Sequence, residues 1–145
     1  MSVKVSMAIN VPIFVKRKHM PNWPNYGPNN KWHGERPFGR WFTNIRARAK
    51  KKGLGFDLDP SWLLTRLKAT GGKCEQTGIK LSPPNNGPLS PWSTSLDRID
   101  SSKGYTKDNV QIVCWSYNVA KSTFTDAVVL EMAKAMILHQ YPDSQ

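Results

Sequence analysis

Between Ser95 and Lys121 the chain reads S-L-D-R-I-D-S-S-K-G-Y-T-K-D-N-V-Q-I-V-C-W-S-Y-N-V-A-K, and this stretch leaves little freedom in how it folds. Residues 94–99 alternate polar and apolar side chains, the pattern of a half-buried strand. Ser101 to Gly104 is a turn, and Lys107-Asp108 a second bend. Asn109 to Cys114 is a second short strand, and from Trp115 no helix breaker occurs until well past Lys121. Strand, loop, strand and helix then set Asp97 and Asn118 on two elements facing each other across a small cleft. Asn118 and Lys121, three residues apart, share one helix face.

With its S-L-D-R-I-D, G-Y, N-V and final N and K, this stretch resembles the ββα-metal core of HNH (His-Me finger) nucleases, particularly small phage-type members. The resemblance runs from Lys73 to about Lys121 and implies a metal-dependent DNA endonuclease. Position by position it makes Asp97 the first ligand of Mg²⁺ or Mn²⁺ and Asn118 the second. Asn109 becomes the brace of the loop, and Lys121 lies beside the scissile phosphate. Such an ion takes oxygen donors and keeps most of its waters, so one carboxylate and one amide suit it.

The resemblance breaks at one position: Arg98 stands where the family places the histidine that activates water. A guanidinium stays protonated with a pKa above about 12 and takes no proton at neutral pH. Arg98 then clamps the phosphate within the catalytic set, or marks a DNA-binding relic without chemistry. The third alternative is a histidine from elsewhere, and His19, His33 and His139 all lie outside the motif. The first alternative is the expectation here, with Arg98 pointing into the cleft of Asp97 and Asn118.

Charge narrows the partner. The formal net charge is +11, and Met1 to Phe56 holds 12 Lys and Arg against the single acid Glu35, while the remainder holds nine against nine. A polyanion is implied, and duplex DNA is the expected one. Pro37 to Lys52 reads as an amphipathic helix, with Phe38, Trp41, Phe42, Ile45 and Ala49 at three- and four-residue steps. Arg40, Arg46, Arg48, Lys50, Lys51 and Lys52 give it a basic face for phosphates. A solvated charged face is the plainer alternative.

The expected architecture is α+β: an extended basic N-terminal arm over 1–36, then an HNH-like domain over 37–145. That domain comprises the basic helix 37–52, a helix 60–70, the ββα-metal core at about 73–122 and a C-terminal helix at about 125–140. Asp59-Pro60 supplies N-cap and first helical residue to the second helix, and Gly71-Gly72 ends it. Val128, Val129, Met132, Met136 and Ile137 form an apolar stripe on the last helix, expected to cover the core. Trp23, Tyr26 and Trp32 in the Pro/Asn/Gly-rich arm either dock on the core or stack on bases, which keeps an RNA-binding protein as an alternative. A non-catalytic DNA-binding or packaging accessory on the same scaffold is another. Related cores carry a structural zinc on two C-x-x-C knuckles; here Thr77 and Tyr117 replace the second cysteine of each, so no zinc is expected. Cys74 and Cys114 read as buried thiols. Two cysteines make no disulfide framework and no apolar run spans a membrane, so a reducing cytoplasm is expected.

Overall fold

The computed structural model describes residues 36–84 and 88–143. Most of the expected arm, with Trp23, Tyr26 and Trp32, lies outside the described residues. The elements are α1 (Arg36–Lys51), α2 (Pro60–Ala69), β1 (Thr94–Arg98), β2 (Val110–Cys114), α3 (Trp115–Lys121) and α4 (Asp126–Gln140). Mixed helix and a small antiparallel sheet is an HNH-like α+β arrangement. No helix among the described residues is long and apolar enough to cross a membrane.

Local chemistry sets the helix limits. The Asp59 carboxylate accepts the Trp62 N–H at 2.8 Å, and Pro60 occupies the first turn of α2, where its missing N–H costs nothing. Hydrogen bonds from Ser61 and Trp62, with help from Lys107, lower the Asp59 pKa to about 2. At the far end of α1, Gly53 takes φ 63°. Gly53 N–H then reaches Lys50 O, and Leu54 N–H reaches Ala49 O, a paired closure that satisfies carbonyls the helix leaves free.

β1 and β2 pair antiparallel, with Ser95 opposite Val113, Asp97 opposite Gln111 and Arg98 opposite Val110. All five residues of β2 are buried, so both its faces are covered. Phe38, Trp41, Phe42 and Ile45 of α1 join Leu63, Leu64 and Leu67 of α2, and Ile112 and Val113 of β2, in one core cluster. Ile45, Leu63, Leu67, Leu81, Val110, Ile112 and Val113 are its fully buried aliphatic side chains, each contributing about 1.5–3 kcal/mol.

One expectation is not met. On α4 only Val129 is buried, whereas Val128, Met132 and Met136 are exposed. Sequence periodicity shows that such a stripe exists but not that anything covers it.

The loop between the strands is anchored from outside the sheet. Tyr105 N–H donates to Gly55 O at 2.9 Å, and Asp57 N–H to Tyr105 O at 3.3 Å. At Gly104 the two backbones meet so closely that a Cβ would penetrate both the N and the O of Gly55. Gly104→Ala is expected to destabilise the protein by about 1–3 kcal/mol, the cost of forced overpacking. Urea unfolding checks this, and a midpoint equal to wild type would show that the loop yields freely.

Candidate functional site

Side chains at 95 and 97 leave β1 on the same face, because alternate strand residues point the same way. That face meets α3. Asn118 Nδ2 donates to Ser95 Oγ at 2.7 Å, and one turn later Lys121 Nζ reaches Asp97. The residues expected as ligands, Asp97 and Asn118, therefore lie on elements packed face to face. Both are already engaged.

Asp97 is 4% exposed and Lys121 is 0% exposed. The ammonium lies 3.0 Å from Asp97 Oδ2 and 3.3 Å from Oδ1, and it donates to the Arg98 carbonyl at 2.8 Å. Two hydrogen bonds, to Oδ1 and to the carbonyl, and an ion-pair contact with Oδ2 therefore surround the ammonium with three oxygens. Enclosed in this way, Lys121 lies against a carboxylate rather than open to a phosphate.

Four residues that sequence reasoning missed complete the surroundings of Asp97. Gln111, its cross-strand partner, donates one amide nitrogen to Asp97 Oδ2 at 2.9 Å and to Asp126 Oδ1 at 2.8 Å. The Gln111 carbonyl oxygen accepts from Gln76 Nε2 at 2.6 Å. The Tyr117 hydroxyl donates to Asp126 Oδ1 at 2.5 Å. Burial, and then the Asp126 carboxylate, push the Tyr117 pKa upward, so the phenol stays a donor. A signal for Gln111 was present in the sequence: a polar side chain within V-Q-I-V-C must have partners if the strand is buried.

Arg98 does not share this cleft. One residue beyond Asp97, it leaves β1 on the opposite face and donates to the carbonyls of Ser101 at 2.7 Å and Lys103 at 2.9 Å. Its guanidinium lies 5.3 Å from the centre of the Tyr105 ring. Asn109 holds the same loop, accepting the Asp100 N–H at 2.9 Å and donating to the carbonyls of Asp100 at 3.0 Å and Gly104 at 2.9 Å.

Cys74 and Cys114 are both buried and free. Proximity to the Cys114 thiol, with the Thr77 hydroxyl and nearby N–H groups, outweighs burial and lowers the Cys74 pKa to about 5. Cys114 is pushed the other way by sharing its proton with Cys74 and by burial. A folded pKa below the ordinary thiol value favours the folded state above that ordinary value and loses its contribution as pH falls through about 5. Ultraviolet absorption at neutral pH should therefore show a thiolate that fades on acidification through that point and is missing in Cys74→Ser. An unchanged spectrum in that variant would place the thiolate elsewhere.

The α1 cations Arg40, Arg46, Arg48, Lys50 and Lys51, and Lys52 directly after the helix, are all exposed. The ion pairs among the described residues, Arg66–Glu75, Lys103–Asp100, Lys107–Asp59 and Lys121–Asp97, leave α1 out. Arg46 and Lys50 line a groove of about 750 Å³ with Phe42, Phe56, Asp57 and Asp59.

Removing one partner of the buried pair leaves an uncompensated charge, so Asp97→Asn or Lys121→Met alone should cost about 3–5 kcal/mol. The double variant should lose much less than the sum. Denaturant titration of all four proteins gives the coupling, and additive losses would mean that the pair is not the unit of stability.

No family model matches this chain, and neither does any curated protein. Among solved structures it is similar to the rare-cutting HNH restriction endonuclease PacI, described there with a mechanism of DNA perturbation. The two are 22% identical with a TM-score of 0.54, over 71% of this chain and 80% of that one. The likeness bears on the fold, and the fold is HNH-like.

Proposed function

We propose that this chain is an HNH-type nuclease that acts on duplex DNA. The observation that carries the proposal is the HNH-like unit itself, with Asp97 of β1 and Asn118 of α3 on facing surfaces and an exposed basic helix on the outside. The structural neighbour cuts DNA, and the charge of α1 suits the same polyanion. We place its setting in a bacterial cytoplasm during phage growth, where free thiols stay reduced.

Whether the residues fit a divalent ion can be judged from a stand-in. Asp97 Oδ1 and Oδ2 and the Arg98 carbonyl already converge on one cation, the Lys121 ammonium. Oxygen donors of this kind suit Mg²⁺ or Mn²⁺, with Asp97 and Asn118 as the side chains that would hold it once the ammonium moves away. A bound ion there would polarise the phosphodiester and stabilise the leaving oxygen. The chain's own residues do the rest: α1 binds the phosphates, and Arg98 and Asn109 hold the 100–104 loop in shape. Arg98 accepts no proton, so the attacking water loses its proton to solvent or to another group.

A second reading, DNA binding without cleavage, is favoured by the same Asp97–Lys121 pair, which keeps the carboxylate occupied. One experiment separates the two. In Mg²⁺ the wild type should nick supercoiled plasmid, and Asp97→Ala should not. Equal nicking by both would remove Asp97 from the chemistry, and binding without nicking would leave the second reading. For the grip, log K against log salt should flatten by about 0.9 for each α1 cation replaced by Gln, starting with Arg46 and Lys50. An unchanged slope would mean that the phosphates lie elsewhere.

A further inference from the structure

The oxygen cage around Lys121 is closed and electrically complete. One carboxylate meets one ammonium, both buried, with Nζ to oxygen distances of 2.8, 3.0 and 3.3 Å. A magnesium ion at about 2.0–2.1 Å from these oxygens, on the side the ammonium fills, would overlap Nζ, so the two cations cannot hold that side together. Their repulsion also grows as the surroundings become less polar. We infer that Lys121 and a divalent cation are alternative occupants of one position at Asp97, and that the lysine competes with any metal the site takes up.

Two features make the exchange feasible. Lys121 is the last residue of α3, and the next residue, Ser122, takes φ 49°, so the helix breaks directly after the lysine. Asn118, one turn back, spends its amide nitrogen on Ser95, and among the described residues nothing donates to its oxygen. Loss of the ammonium from Asp97 therefore leaves two oxygen-bearing side chains on one face. The inference deepens the nuclease reading in the kind of ion it names, and it holds whether or not the chain cuts DNA.

Mn²⁺ uptake, followed by the electron paramagnetic resonance of the free ion, tests it in the full chain. Lys121→Met should bind Mn²⁺ on the order of ten-fold or more tightly than wild type, since a charge opposing the ion has gone. Adding Asp97→Asn to that variant should abolish the gain. Equal affinities for wild type and Lys121→Met, or binding that survives the Asp97 substitution, would overturn the inference. Circular dichroism shows whether Lys121→Met folds; Lys121→Gln, which can still donate to the Arg98 carbonyl, repeats the comparison. Should neither fold, the wild type answers directly through acetylation of the Lys121 amine mapped by mass spectrometry. Labelling should be slow without metal and should rise with Mn²⁺, and a Lys121 still protected at the highest Mn²⁺ concentration overturns the exchange. A wild type that nicks no plasmid leaves these binding results untouched, so the two readings fail separately.

Discussion

A buried ion pair between the last residue of a short helix and the middle of a short strand fixes how the core assembles. Taking two charges out of water costs several kcal/mol per ion, and the cost is recovered only if the geometry is good and the remaining polar atoms are satisfied. Here both conditions hold. Lys121 finds three oxygens, and Gln111 donates to Asp97 Oδ2. Through Gln111 the pair extends to Asp126 at the start of α4, to Tyr117 in α3 and to Gln76 before the sheet. A two-stranded sheet is marginal alone. This network ties β1, β2, α3 and α4 into one arrangement that apolar contacts, being non-directional, would leave free to slide.

The other face of β1 depends on a different device. Among the described residues Arg98 has no carboxylate partner, and it spends its charge on two backbone carbonyls and the face of Tyr105. Together with Asn109 it satisfies carbonyls of the turn that would otherwise need water, and Gly104 lets that turn press against Gly55. Neighbouring residues on one strand thus serve opposite sides of the molecule. Asp97 holds the helix layer and Arg98 holds the loop.

This division explains what the sequence could and could not disclose. The order strand, loop, strand, helix is legible because period-two alternation, two bends and an unbroken helical run follow one another within 27 residues. The caps of α2 are legible for the same local reason. That Asp97 and Arg98 point to opposite faces also follows from strand alternation, although a motif read as a catalytic pair invites the contrary expectation. The pairing of Asp97 with Lys121, 24 residues away, is a matter of how α3 rotates on the sheet. Local pattern carries no information about that rotation. The partner of Gln111 was hidden similarly, since its bond to Asp126 crosses from a strand to a later helix. For α4, periodicity marks the apolar face but is silent on its neighbours.

Two populations of cation therefore do distinct physical work in this chain. Those of α1 are exposed and screened by salt, so their pull on a polyanion is long-ranged at low ionic strength and fades within a Debye length of about 8 Å at physiological salt. Charges of this kind draw a polyanion near without fixing an atom. Lys121 is the opposite case: enclosed, unscreened and committed to three oxygens, it acts only on what touches Asp97. A site built this way tolerates the absence of a metal, because its negative charge is never left bare in the low-dielectric interior. The same arrangement sets the condition for chemistry. On the nuclease reading proposed above, any ion that reaches Asp97 must offer more than the lysine gives up, which makes the strength of the Asp97–Lys121 pair, rather than the basic helix, the quantity that decides between cutting and holding.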